Sequence, residues 1–225
     1  MIVLCRATKT FGGDAGPITI LDEVSLEIPA KRRVALLGAT GCGKTTFINV
    51  LAGLEPLSAG SIDRYANVSF PVGNVRLFRP TSTPELNTRF FARCYGLDRA
   101  QMWDFVQDLA ELSDEASKRE MRLLTPEQRV QFAYALAVAI PFDTYLFDGR
   151  LAVGGSRFKE RFMFALEERL KSAGLIVATR DARFARQFCD AGLLIRDARM
   201  ELYDELEESI GAMAAAKAES NAPDT

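Results

Sequence analysis

Not one histidine occurs in the 225 residues, so no position in the chain can offer an imidazole. Cysteine is sparse too: Cys5, Cys42, Cys94 and Cys189 stand far apart and form no CxxC pair. That spacing excludes a zinc site and a disulfide framework, and it suits reduced thiols in the cytosol. No run approaches the ~20 apolar residues that cross a bilayer as a helix. The opening MIVLCRATKTFGG puts Arg6 and Lys9 after a short apolar run, the reverse of a secretory leader, and reads as a cytosolic start. Net charge is −2, from 28 Lys+Arg against 30 Asp+Glu, so no basic field marks nucleic acid as a partner. Internal repeats are absent.

What is present has the composition of a globular chain, 48% hydrophobic and 26% charged, enough for one large domain or a domain with a small subdomain. RVALLG (residues 33–38) is nearly continuous apolar sequence, the pattern of a parallel strand covered on both faces. TYLFD (144–148), LIVAT (175–179) and LLIRD (193–197) are three further buried-strand candidates. Between them, helical spacing puts Phe47, Val50, Leu51 and Leu54 on one face, and Val130, Ala133, Ala137 and Ile140 on another. Phe158, Phe162, Leu166 and Leu170 line a third helix, for which Gly174 is the expected terminator. Strands alternating with helices after a first β-rich stretch predict an α/β domain with a mainly parallel sheet. PELNTRFFARCYGL and RAQMWDFVQDLAEL lack intervening strands, so a helical subdomain of about residues 84–130 is expected as an insertion. The domain should occupy 1–214. Residues 215–225, ending in the polar KAESNAPDT, read as a frayed, disordered tail.

Residues 38–45, GATGCGKT, match G-x-x-x-x-G-K-[ST] in full, with a buried strand before and an apolar helix after. The chemistry of phosphate binding asks for this arrangement. Gly38, Gly41 and Gly43 let the backbone of Ala39, Thr40 and Cys42 wrap an anion, and successive N–H groups with the helix N-terminus stabilise it. Lys44 reaches the β/γ-phosphates, Thr45 can ligate Mg²⁺, and Thr46 is the last of the nucleotide-binding residues that begin at Gly38. Asp148 closes its apolar strand where a P-loop protein holds Mg²⁺, often through water; an aspartate at a strand end is also a common turn starter. Cys42 sits inside the loop, so an exposed thiol there would be protected by ATP from modification.

Beyond the loop, LDEVSLEIPAKRRVALLGATGCGKTTFINVLAGLEPLSAGSI, SFPVG (69–73), TRFFARCYGL (88–97), YLFDGRLAVGGSRF (145–158) and FCDAGLLIRDARM (188–200) stand in order. From Ile2 to about Ala212 the chain resembles the ATP-binding subunits of ABC exporters, especially the branch that exports capsular polysaccharide and O-antigen-type glycans. The resemblance implies a P-loop NTPase fold of ABC-ATPase type. Its core would be a mainly parallel sheet, with an N-terminal antiparallel β region and an inserted helical subdomain. It also places Phe11 where such proteins stack an aromatic on adenine, with a small-core phenylalanine as the alternative.

The departures from the family pattern fall on hydrolysis. Arg79, in LFRPTS, stands where a glutamine senses Mg²⁺ and water. The signature loop reads Leu124-Thr125-Pro126-Glu127-Gln128, in which Pro126 removes an N–H donor and Glu127 puts a carboxylate where an anion is received. Gly149 replaces the glutamate that polarises the attacking water, a loss worth about 10²–10⁴ in rate. Gly155 replaces the D-loop aspartate, and Arg180 replaces the switch histidine. Arg79 and Arg180 would add positive charge near the γ-phosphate, or else are solvated surface arginines.

The resemblance therefore implies an ATP- and Mg²⁺-binding subunit with weak or lost hydrolysis. It would be peripheral at the cytoplasmic face of the cell membrane and paired with a second nucleotide-binding domain, alike or unlike. It would also hold an ABC-2-type membrane subunit, in a groove between core and helical subdomain that PELNTRFFARCYG would line with Phe90, Phe91 and Tyr95 beside Arg89 and Arg93; core packing is the alternative for those aromatics. The alternatives are an active but divergent ATPase of the same kind, or a nucleotide-responsive scaffold without transport work. Against a GTPase, no N-K-x-D motif occurs; against a small-molecule kinase, no arginine-rich lid follows the loop.

Overall fold

The computed structural model describes residues 1–13, 16–149, 155–179 and 182–220, and the chain divides into two compact units. The first comprises residues 1–71, 143–150 and 173–225, and the second 72–142 and 151–172.

The first unit holds two sheets. β1 (Ile2–Phe11) pairs antiparallel with β2 (Ile18–Ile28) and with β4 (Ala59–Arg64). The larger sheet has the order β5-β6-β7-β3-β8-β9. It is built from β3 (Arg33–Gly38), β5 (Val68–Val72), β6 (Thr144–Asp148), β7 (Gly174–Ala178), β8 (Ala191–Arg196) and β9 (Arg199–Tyr203). β3 runs parallel to β7 and β8, and β6 parallel to β7, while β9 returns antiparallel on β8. Every residue of β7 is buried, as are Val34 to Leu37 of β3, which is why these strands read as unbroken apolar runs.

Three helices belong to this unit: α1 (Lys44–Leu51), α7 (Ala182–Phe188) and α8 (Leu206–Ser220). Phe47, Ile48 and Leu51 of α1 join Leu4, Leu21, Val34 and Ile176 in one core, so helix and both sheets share an interior. Leu54, expected on the buried face of α1, is instead 45% exposed, because the helix stops at Leu51. The guanidinium of Arg64 ends it, donating to the carbonyls of Val50 at 2.6 Å and Leu51 at 2.8 Å. These are carbonyls that a helix C-terminus leaves without an internal donor.

The second unit is mainly helical in its described residues. It holds α2 (Pro84–Tyr95), α3 (Arg99–Leu109), α4 (Asp114–Ser117) and α5 (Pro126–Ala139) in succession, and α6 (Ser156–Leu170) joins them after the chain has passed through β6. Starts are set by side-chain caps. Thr83, Asp98, Ser113 and Thr125 each accept a hydrogen bond from a backbone N–H of the first turn. Gln131 to Val138 of α5 are all buried, so this part of the helix is wrapped on every side and shows no amphipathic stripe. Around it, Phe78 packs edge-on against Phe132 at 4.9 Å, and Tyr134 against Phe162 at 4.9 Å.

Three expectations change here. Ile140 is buried but extended, one residue beyond α5, whose final carbonyls at Val138 and Ala139 are capped by Arg169. Gly174 does not terminate α6, which ends at Leu170 with Lys171 as its cap; Gly174 opens β7. The helix α8 continues through Ser220, past residue 215 where the tail was expected to begin, because Ala212, Ala214, Ala215 and Ala216 are strong helix formers. Residues 221–225 lie outside the described residues. None of the described helices is long and apolar enough to cross a membrane.

Candidate functional site

Three neighbouring parallel strands, in the order β6-β7-β3, end on one edge of the large sheet. The carboxyl edge of a parallel sheet is where successive strand–helix turns converge and ligands bind. The turn after β3 is the glycine-rich loop, the turn after β6 carries Asp148 and Gly149, and the turn after β7 carries Thr179. Together with α7 they surround a cavity of ≈ 1150 Å³. Its floor comes from Gly41, Gly43, Lys44, Thr45 and Thr46; Asp148, Gly149, Ala178, Thr179 and Arg183 form one end. Phe11, Ile18 and Ile20 of the small sheet line the rest.

The loop is held in shape from within. Cys42 N–H donates to the Ala39 carbonyl at 3.4 Å, and Lys44 Nζ donates to the carbonyls of Gly38 at 2.8 Å and Ala39 at 2.6 Å. Nζ also lies 3.5 Å from Cys42 Sγ. Gly43 caps α1 with φ +99°, and Ile20 packs directly over its α-carbon. Gly38, Ala39, Thr40 and Cys42 do not line the cavity; they form the ring beneath it, and Cys42 is partly buried against the core. The other deeply placed thiol, Cys189, is pushed up to about 12 by desolvation, then by Asp190. All four cysteines are free.

Phe11 stands at the cavity with Lys9 Nζ 4.5 Å from its ring centroid, a cation–π contact on one face of the ring. Its strand partner across β1–β2 is Ile18. Ile18 and Ile20, which the sequence reading did not name, extend the apolar wall. Alternation along ITIL after a β-turn-like gap was the one signal that could have found them.

The remaining expected positions separate. Arg79 belongs to the second unit, where its backbone N–H donates to Asn87 Oδ1 at 2.9 Å and its carbonyl accepts from Asn87 Nδ2 at 3.3 Å. Thr125 and Gln128 form a reciprocal capping box at the start of α5, with Pro126 as its first residue. Gly155 is the N-cap of α6, with no side chain to contribute. Arg180 lies outside the described residues. Among the described residues no cluster of three or more carboxylate or thiol side chains could hold a metal unaided.

A strand, a glycine-rich loop closed by lysine and threonine, a helix and a carboxylate at the end of the next strand but one define a nucleoside-phosphate site of the P-loop class. The sequence pattern of the ABC transporter family matches residues 21–148, more than half of the chain, and the chain belongs to that family. It is 27% identical over 209 residues to the ATP-binding protein BexA of Haemophilus influenzae, covering 93% of this chain and 96% of that protein. The capsule polysaccharide export ATP-binding protein CtrD of Neisseria meningitidis serogroup B matches at 27% with the same coverage. The polysialic acid transport ATP-binding protein KpsT of Escherichia coli matches at 27% over 211 residues, 93% of this chain and 94% of its own. Among solved structures, the dimeric bacterial ABC transporter cassette MJ0796 superposes with a TM-score of 0.73 at 22% identity, covering 92% of this chain and 99% of that one. The fold is accordingly that of an ABC cassette, with a parallel-cored mixed sheet, an antiparallel N-terminal sheet and helical segments.

Proposed function

We propose that the chain is the ATP-binding subunit of an exporter of capsular or related polysaccharide, and that it binds ATP while hydrolysing it weakly or not at all. The observation that carries this reading is the cavity itself. Lys44, Thr45 and Asp148 meet there as phosphate and metal groups, while the place of the water-polarising carboxylate is taken by Gly149. No glutamate lines the cavity among the described residues, and the chain has no histidine to replace one. The polysaccharide assignment rests on relatives that match over nearly their whole length.

In this reading Phe11, Ile18 and Ile20 receive the adenine face, and the loop N–H groups with Lys44 receive the β- and γ-phosphates. Thr45 and Asp148 would hold Mg²⁺: a hydroxyl and a carboxylate on one cavity are hard oxygen donors, and Mg²⁺ keeps several waters besides. When bound, the ion neutralises charge on the phosphates. The capping box uses the Thr125 hydroxyl and N–H locally, which lowers what this segment can offer to the nucleotide of a second nucleotide-binding domain, alike or unlike. An ABC-2-type membrane subunit would hold the protein peripherally at the cytoplasmic face. On α2, Leu86, Phe90 and Tyr95 are exposed and suit that contact, whereas Phe91 is buried in the core.

Calorimetry and a phosphate-release assay on the purified protein test this. ATP with Mg²⁺ should bind, Lys44→Ala should weaken binding about 100-fold, the size of two or so charge-assisted hydrogen bonds, and turnover should stay well below ~1 s⁻¹. Turnover at or above that rate, abolished by Lys44→Ala, would end the weak-hydrolysis reading.

Returning the missing carboxylate is not expected to repair the site. Gly149 sits at φ +96°, pinned by its N–H to the Ala178 carbonyl at 2.8 Å, and an L-residue there is strained and misdirected. Gly149→Glu should leave turnover within about threefold of wild type, although a well-placed general base is worth about 10²–10⁴. A hundredfold rise would show that the backbone can accommodate the base after all.

A further inference from the structure

Arg183 enters the site only through the fold. It lies on α7, the helix after β7, and lines the same cavity as Lys44, Thr45, Asp148 and Gly149. Lys44 and Arg183 are the two cations on that lining among the described residues, and Asp148 is its one carboxylate. Their placement differs. Lys44 Nζ lies on the carbonyls of its own loop, and Arg183 is exposed on α7, after the turn that follows β7. Beside it, Gly149 contributes no side chain, and a Cβ there would meet nothing within 4 Å. Among the described residues, this end of the cavity therefore has room beside the metal-type carboxylate, with Arg183 as its cation.

Adenine and ribose belong with the apolar wall of Phe11, Ile18 and Ile20, and the phosphates begin at the loop around Gly43, from which Lys44 reaches one side of the β- and γ-phosphates. The outermost phosphate of a triphosphate then falls at the end held by Asp148, Thr179 and Arg183. A guanidinium suits that position, since its planar fork pairs with two oxygens of one phosphate at once.

We infer that Arg183 donates to the terminal phosphate of bound ATP, so that this cavity distinguishes ATP from ADP through an arginine on α7. The inference rests on the nucleotide reading above and adds to it a specificity-determining residue. ATP and ADP share every other group the site can touch, so the contact is read out as a ratio of affinities and not as binding alone.

The test is titration calorimetry of the full chain with MgATP and with MgADP. Arg183→Ala should weaken MgATP about tenfold or more, the loss of one charge-assisted bond, and leave MgADP within about twofold. Arg186→Ala, on the same helix but outside the cavity lining, should change neither. Equal weakening of both nucleotides, or of neither, by Arg183→Ala would overturn the inference while leaving the nucleotide site standing. A wild-type protein that bound neither nucleotide would sink the nucleotide reading and this inference together. Should the alanine variant not fold, Arg183→Lys decides, because it keeps the charge and loses the fork: a lowered ATP-to-ADP preference supports the contact, an unchanged one overturns it.

Discussion

Gly43→Ala is expected to weaken ATP binding at least ~100-fold, beyond the loss of any single hydrogen bond, and to destabilise the fold by about 3 kcal/mol. Two separate effects add. The backbone at Gly43 has φ +99°, a conformation L-residues adopt only with strain. A methyl group built there would also lie 2.1 Å from Ile20 Cγ2 and 3.3 Å from Ile20 Cβ. Ile20 is β-branched and stiff about its first torsion, so it cannot swing clear without moving β2. Whichever yields, the first N–H groups of α1 lose their aim at the phosphates. Adding Ile20→Ala should remove the 2.1 Å contact, leave the 3.3 Å one and recover part of the stability, but not the affinity, since φ is unchanged. An ATP affinity for Gly43→Ala within threefold of wild type would refute the claim that loop geometry sets binding.

Gly60→Ala is expected to be the most destabilising single change of its size in the first unit, about 3 kcal/mol or more, a drop of roughly 10 °C in Tm for a chain of this length. Gly60 faces an irregularity in β1, where the register with β4 shifts between Cys5 and Thr8 and Arg6 itself has φ +47°. A Cβ at Gly60 would lie 2.1 Å from the Arg6 carbonyl oxygen and 2.6 Å from that of Cys5. Both are backbone atoms and cannot rotate away. Gly53→Ala is the matched comparison: its φ is +74°, but the nearest atom is Arg64 Nη2 at 3.9 Å, so only strain of about 1 kcal/mol applies. Thermal melts of the two variants separate strain from collision. If they fell by equal amounts, the close approach at Gly60 would carry no weight. Because β1 and β2 supply Phe11, Ile18 and Ile20, Gly60→Ala should also weaken ATP binding in proportion to unfolding.

The legible parts of the sequence were those fixed by local chemistry. RVALLG, TYLFD and LIVAT could be read as strands because burial on both faces forces continuous apolar sequence. GATGCGKT carried its own geometry, and Asp148 took its meaning from that loop. What stayed hidden depended on partners distant along the chain. Gly53 after α1 and Pro141 after α5 mark the two stops locally, but the side chains that cap the final carbonyls, Arg64 and Arg169, come from distant parts of the chain. Ile18 and Ile20 became cavity residues only through the pairing of β1 with β2, and Arg183 only because β7 lies between β6 and β3. α5 gave a misleading stripe because Gln131 to Val138 are buried on all sides of the helix.

The hydrogen bonds that Lys44 makes to Gly38 and Ala39 carry one more consequence. They close the phosphate loop on its own cation, so the ring is already preorganised in the protein alone and loses little conformational entropy when a phosphate arrives. The lysine that greets the ligand is thus also the brace that keeps the ring from collapsing. Removing it disturbs the receptor as well as the contact, and the affinity lost on Lys44→Ala is the sum of the two.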